Sequence, residues 1–97
     1  MVKVVWRKGA LVHLNKNFEH IKKDALTSAR KVRDGILEAM GALSENPEMY
    51  PLDKYKKNNE GDIRAFEKFR IRVSYQVTDK EIRIIRVRHA SRNPLPY

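Results

Sequence analysis

The fold is decided by residues 69–89, whose sequence is FRIRVSYQVTDKEIRIIRVRH. In the first half of this stretch apolar residues alternate with polar ones: Phe69, Ile71, Val73, Tyr75 and Val77 are separated by Arg70, Arg72, Ser74 and Gln76. A period of two is typical of a β-strand with one buried face. Arginine on a rigid strand is a preorganised donor to phosphate or carboxylate, so the other face of this strand is predicted to hold an anion.

A second strand is predicted after a turn at residues 78–80. Within that strand the apolar phase shifts from Ile82 and Ile84 to Ile85 and Val87. The shift predicts either a β-bulge or a central position that is buried on both faces.

A short strand and a helical hairpin are predicted near the N-terminus. Residues 2–6 are mostly β-branched or aromatic, which favours a strand, and Gly9 ends it. Two amphipathic helices follow, with apolar stripes formed by Leu11, Leu14, Phe18 and Ile21 and by Ala25, Ala29, Val32, Ile36, Ala39 and Leu43. A long irregular segment then leads to a strand at residues 63–67, which is predicted to reverse near Glu67 and Lys68.

The resulting order is β-α-α-β-β-β, an α+β fold in a single domain over residues 1–97. Both helical stripes need an apolar surface to cover them, and the third strand supplies one. We therefore expect an antiparallel twisted sheet with the helical hairpin packed on one face.

Charge is the strongest compositional signal. The chain has 97 residues with 21 Lys and Arg against 12 Asp and Glu, a formal net charge of +9. Such a positive field favours nucleic acid, an acidic protein partner or an anionic surface. The chain has no cysteine, and its longest apolar run is far too short to span a membrane. These features predict a soluble cytoplasmic protein without a membrane interaction.

Several segments together resemble the RelE/ParE toxins of type II toxin-antitoxin systems, a group that includes plasmid stabilisation proteins. These are residues 47–51 (PEMYP) after the hairpin, residues 64–66 (RAF), residues 72–75 (RVSY) and residues 86–89 (RVRH). The resemblance covers essentially the whole chain. It implies a small toxin neutralised by a cognate antitoxin, with operator DNA bound only indirectly, through that antitoxin.

The resemblance also implies one of two targets. RelE-like members cut mRNA on the ribosome without a metal, whereas ParE-like members block DNA gyrase without chemistry of their own. The first function expected here is that of an mRNA interferase acting on translating ribosomes, with neither metal nor cofactor. A gyrase inhibitor, or an inactive family member that only binds antitoxin, is the alternative.

Metal-free RNA cleavage requires positive charge over the scissile phosphate and a group that exchanges protons. Arg72 aligns with the arginine of the RelE-type third strand, and Tyr97 resembles the tyrosine that follows the fourth. His89 is the candidate acid or base, and Arg64 is the best match to the lysines of the second strand. Ala90 stands about where RelE-type enzymes carry a further arginine, whereas residues 86–91 (RVRHAS) resemble ParE-like sequences.

Five basic residues are candidates for contacting RNA: Lys54, Lys56, Lys57, Arg70 and Arg92. Each candidate also has a plain structural interpretation. Strand arginines can form weak surface pairs with Glu67 or Glu81, and His89 can be a partly buried structural histidine.

Overall fold

The computed structural model describes residues 3–24, 26–89 and 96–97, with side chains in α1 and α2 described only outside positions 17, 20–24 and 26–28. The elements run in the predicted order, which is confirmed. They are β1 (Lys3–Trp6), α1 (Lys8–Asp24), α2 (Leu26–Glu45), β2 (Ile63–Lys68), β3 (Ile71–Val77) and β4 (Glu81–His89).

The four strands form one mixed sheet in the order β1-β4-β3-β2. β2, β3 and β4 pair antiparallel, as the sequence predicted for the whole sheet. β1 differs because it lies parallel to β4, with Val4 opposite Ile82 and Trp6 opposite Ile84. A parallel pair needs a long connection between its strands, and the helical hairpin with β2 and β3 supplies it.

The helical hairpin covers one face of the sheet, which we call the helix face. Ile71, Val73 and Tyr75 of β3 point to it and are at most 1% exposed, which confirms the predicted buried face. Leu14, Ile36 and Leu43 are buried against them, whereas Phe18 and Val32 are only partly buried. Leu11 departs from its predicted stripe: it is 45% exposed, because the sheet reaches only part of the α1 surface.

The predicted irregularity in β4 is a β-bulge. Tyr75 pairs with Ile84 but Ser74 pairs with Arg86, which leaves Ile85 as the extra residue. The extra residue restores alternation on the helix face, so that Ile84 and Val87 are both buried there. On the opposite face the bulge places Arg86 directly across from Ser74 and Arg88 directly across from Arg72.

The β2–β3 turn lies slightly later than predicted. Lys68 pairs with Ile71, so that Phe69 and Arg70 form the two-residue loop. Both have positive φ angles, 53° and 64° respectively. These are the backbone conformations of a type I′ turn, the turn that best suits the twist of a hairpin.

The irregular segment after α2 runs along the outer edge of β2. The amide of Asp53 donates to the carbonyl of Ile63 at 2.9 Å, and the amide of Ala65 donates to the carbonyl of Pro51 at 3.2 Å. These bonds cover the edge of the sheet and place Asp53 against the face of the sheet opposite the helices.

Two leucines of α2 test this description of the core. Leu43 is fully buried, whereas Leu37 is 49% exposed. Leu43→Ala should lower the free energy of unfolding by about 2–5 kcal/mol, because it removes buried contacts and leaves a cavity. Leu37→Ala should change it by less than about 1 kcal/mol. Urea unfolding followed by circular dichroism measures both, and equal effects would contradict the packing.

Candidate binding site around Asp53

The face of the sheet opposite the helices carries polar side chains, and we call it the polar face. Strand alternation and pairing assign its residues. Arg72 lies opposite Glu67 and Arg88, and Ser74 lies opposite Ala65 and Arg86. Arginines of two neighbouring strands therefore meet on this face. The alternation in β3 predicted that Arg72 faces away from the core.

A buried carboxylate lies at the centre of the polar face. The Asp53 side chain is 0% exposed. Its Oδ1 accepts from Arg72 Nη2 at 2.8 Å and from the Tyr55 amide at 3.0 Å. Its Oδ2 accepts from Ser74 Oγ at 2.7 Å and from the Tyr97 hydroxyl at 2.6 Å. Both oxygens are thus saturated by four donors, two of them from side chains of β3.

Tyr97 is fixed to this face by its backbone as well as by its hydroxyl. Its amide donates to the carbonyl of Tyr55 at 2.9 Å, and its carbonyl accepts from the amide of Lys57. Tyr97 therefore pairs with residues 55–57 like a short extra strand. This pairing directs its side chain at Asp53.

Cations stack on both tyrosine rings of the site. The Arg72 guanidinium lies 4.8 Å from the centre of the Tyr55 ring, and the Arg86 guanidinium lies 4.4 Å from the centre of the Tyr97 ring. Lys56 Nζ is 5.5 Å from the Tyr97 ring. Cation–π contacts of this kind hold side chains in place and contribute about 0.5–1 kcal/mol each at exposed positions.

Titration of the site follows from these contacts. Burial alone would raise the pKa of Asp53, but hydrogen bonds from Tyr97, Arg72, Ser74 and the Tyr55 amide outweigh it and lower that pKa to about 2. Burial and the hydrogen bond to Asp53 raise the pKa of the Tyr97 hydroxyl. Burial lowers the pKa of Arg72, but its bonds to Asp53 and Glu67 raise it further, so the net shift is upward. Asp53 and Arg72 are therefore both ionised at neutral pH, whereas the Tyr97 hydroxyl is protonated.

The structure divides the four residues predicted to be catalytic between the two faces. Arg72 and Tyr97 meet at Asp53. Arg64 pairs with Tyr75, and His89 pairs with Ile71, so both belong to the helix face. Arg64 donates from Nη1 to the carbonyl of Tyr50 at 2.6 Å, which ties it to the segment after α2.

The residues predicted to contact RNA are divided as well. Lys54 and Lys56 lie against the rings of Tyr55 and Tyr97, with Lys57 exposed beside them. Arg70 is instead in the β2–β3 turn. Arg92 lies outside the described residues.

A comparison with protein families finds a match over residues 4–94 to the model of the ParE toxin of type II toxin-antitoxin system, parDE. The match spans nearly the whole chain. This chain belongs to the ParE toxin family. A comparison with curated proteins finds no match. The predicted membership of the RelE/ParE superfamily is thereby confirmed.

Membership of a type II toxin-antitoxin family makes the chain a toxin with a cognate antitoxin as its partner. Among the described residues, no helix has the length and apolarity to cross a membrane. The same residues contain no group of three or more His, Cys, Asp or Glu side chains placed to hold a metal ion.

Sequence reasoning did not find Asp53, Ser74 or Tyr55 as members of this site. Asp53 stands in an irregular segment, where no periodicity indicates the direction of a side chain. Ser74 was assigned to the polar face by alternation, and a small hydroxyl between Arg72 and Gln76 is a signal that another chain segment approaches closely there. Tyr55 acts through its amide and ring, which its loop position alone does not reveal.

Removing the central carboxylate tests the site. Asp53→Asn should lower the free energy of unfolding at neutral pH by about 3 kcal/mol, because Arg72 then stays buried without its main counter-charge. Asp34→Asn is the control, since Asp34 is exposed and paired only with neighbouring Arg33 among the described residues. Denaturant unfolding at pH 7 compares the two variants, and an Asp53→Asn protein as stable as the control would contradict the site.

Acid titration gives a second test. The folded-state pKa of Asp53 is about 2 against an ordinary value of 3.8. A lowered pKa stabilises the fold fully above about pH 4, and this contribution of about 2 kcal/mol is lost as pH falls through 2. The difference in unfolding free energy between wild type and Asp53→Asn should therefore shrink between about pH 4 and pH 2. A constant difference over that interval would contradict the lowered pKa.

Proposed function

We propose that this ParE-family toxin acts by binding its target, DNA gyrase, rather than by cutting mRNA. One observation supports this above all: the Arg72 guanidinium is engaged by Asp53 at 2.8 Å and by Glu67 at 3.0 Å. An arginine paired with two carboxylates inside the chain has little net charge left for a phosphate. The expected mRNA interferase activity becomes the second candidate.

The surroundings of Arg72 also favour binding over catalysis. The β2 residues that share its face are Ile63, Ala65 and Glu67, which add no cation to stabilise a pentavalent phosphate. His89 and Arg64 belong to the helix face, across the sheet from Arg72. A proton-transfer group must come within hydrogen-bond reach of the reacting oxygen, directly or through one water.

Tyr97 is the remaining candidate for proton transfer. Its hydroxyl donates to Asp53 at 2.6 Å, and its raised pKa makes the phenolate inaccessible near neutral pH. It can therefore neither accept a proton readily nor leave its partner without breaking a buried hydrogen bond. We assign it a structural role in holding the basic loop at residues 54–57.

The basic loop is the surface that we propose for the target. Lys57 is exposed on this segment, which Tyr97 and Asp53 hold in place. Lys54 and Lys56 lie against the rings of Tyr55 and Tyr97, and Arg86 also lies over the Tyr97 ring. Arginine and tyrosine are common at the energetic centres of protein interfaces, and the lysines add charge complementarity to an acidic partner. Since gyrase acts in the cytoplasm, we propose that compartment for the toxin.

A second candidate, mRNA cleavage, is supported by one observation. The Nε atom of Arg72 is buried and has no hydrogen-bond partner within the described residues. A phosphate oxygen could accept from it if Asp53 moved away. RNA cleavage would therefore require rearrangement of the site, and we place it second.

Two parallel assays decide between these functions. Purified toxin should inhibit plasmid supercoiling by gyrase, and it should leave mRNA on translating ribosomes uncut. Cleaved ribosomal mRNA together with unimpaired supercoiling would reverse the order of the candidates.

Charge reversal tests the proposed surface within the supercoiling assay. The Lys56→Glu and Lys57→Glu double variant should raise the toxin concentration for half-inhibition about tenfold or more, through lost charge complementarity. His89→Gln should change that concentration by less than about threefold, because binding requires no proton transfer there. The Lys16→Glu and Lys31→Glu double variant is the matched control, since it makes the same change in charge at exposed positions of α1 and α2. If His89→Gln abolished inhibition while Lys56→Glu and Lys57→Glu did not, the proposed surface would be wrong.

A further inference from the structure

The β2–β3 turn carries a backbone conformation that its residues disfavour. Phe69 and Arg70 have φ angles of 53° and 64°. Type I′ turns strongly prefer Asn-Gly or similar pairs at these two positions, because a side chain in the left-handed region is strained. Such strain persists where the surrounding structure or a function maintains it.

Packing accounts for Phe69. Its ring lies so close to α2 that a Cβ added at Gly35 would be 2.2 Å from the Phe69 Cε2 atom. The ring is therefore seated on the backbone of Gly35 and ties the turn to α2, while 40% of the residue is still exposed. Burial of part of this ring compensates for its strained backbone.

Packing does not account for Arg70. The residue is exposed, and within the described ranges its guanidinium forms no ion pair or hydrogen bond. Glycine at this position would form the same turn without strain. The fold thus gains nothing visible from an arginine here, and an external partner is the physical reason that remains.

We propose that residues 68–70, the hairpin tip, form a second contact with the toxin's target and bind an acidic patch on a protein surface. The tip presents Lys68, the exposed part of Phe69 and Arg70, with Lys68 Nζ 5.8 Å from the Phe69 ring. The nearest acid in sequence, Glu67, is engaged by Arg72 at 3.0 Å. Two cations beside a partly exposed aromatic ring are complementary to carboxylates around an apolar spot.

A protein fits the tip better than a nucleic acid. The Cδ2, Cε2 and Cζ edge of the Phe69 ring packs against Gly35, so contacts within the chain fix the ring and leave only part of it for a partner. Two cations on one turn would also neutralise few phosphates, whereas nucleic-acid affinity grows with the number neutralised. This inference rests on the proposed function in that the target is a protein.

Arg70→Gly separates a target contact from a structural role. Glycine relieves the positive φ angle, so the melting temperature should stay the same or rise. Growth arrest at equal expression should weaken, and the concentration for half-inhibition of gyrase should rise about tenfold, the loss typical of an interface anchor. Arg70→Lys should keep most of the activity. Lys80→Gly is the matched control, because it removes one charge from the exposed β3–β4 turn and should change neither growth arrest nor the concentration for half-inhibition of gyrase.

The outcomes distinguish this inference from the proposed function. Arg70→Gly as toxic as the wild type would overturn the inference, whatever the target. A wild type that arrests growth without inhibiting gyrase would overturn the proposed function, while weakened arrest by Arg70→Gly would still support a contact at the tip. If Arg70→Gly lost binding to duplex DNA in a mobility shift but bound gyrase as tightly as the wild type, the proposal of an acidic protein partner would be wrong. A wild type that does not arrest growth would overturn both.

Discussion

The ion pair between Asp53 and Arg72 is the interaction on which the polar face depends. A carboxylate with no exposed surface is tolerated only when charges and donors compensate for its lost hydration, and here four donors do so. Those donors come from β3, from the loop after Asp53 and from Tyr97, so one side chain joins three separate parts of the chain. Removing either partner would leave a buried charge, which is far more destabilising than replacing the pair as a whole.

This arrangement explains how a chain with an anion-binding sequence pattern can lack an open anion site. The alternation in β3 places Arg72 on a rigid strand facing away from the core, where it could hold a phosphate. The segment after α2 then delivers Asp53 to the same position. The carboxylate occupies the place of the expected ligand, and the guanidinium becomes a structural element. A shared fold with a shared strand arginine can therefore serve different functions, depending on what the adjacent loop brings to it.

Local periodicity made much of the fold predictable. The alternation of Ile71, Val73 and Tyr75 identified the buried face, and the phase shift after Ile84 identified the bulge, because each is a property of consecutive residues. The pairing of β1 with β4 and the contact of Asp53 with Arg72 join positions far apart in sequence, and no local pattern encodes them. The same alternation, once combined with the observed register, places His89 and Arg64 across the sheet from Arg72. The chemistry of these side chains suggested a common site with Arg72, but the pairing of the strands places them on the other face of the sheet.

Charged side chains at the centre of the polar face are paired with each other, and this limits which parts of the surface can bind a partner. Charges that are already paired contribute little to affinity, since a partner would have to break existing contacts before making new ones. Of the cations behind the net charge of +9, those in the two segments proposed to contact the target are the lysines at residues 54–57 and the cations at residues 68–70. Both segments are held rigid, one by Asp53 and Tyr97 and the other by the seat of Phe69 on Gly35. Rigid presentation lowers the entropic cost of association, so the buried contacts of this fold act on binding by holding these cations in position.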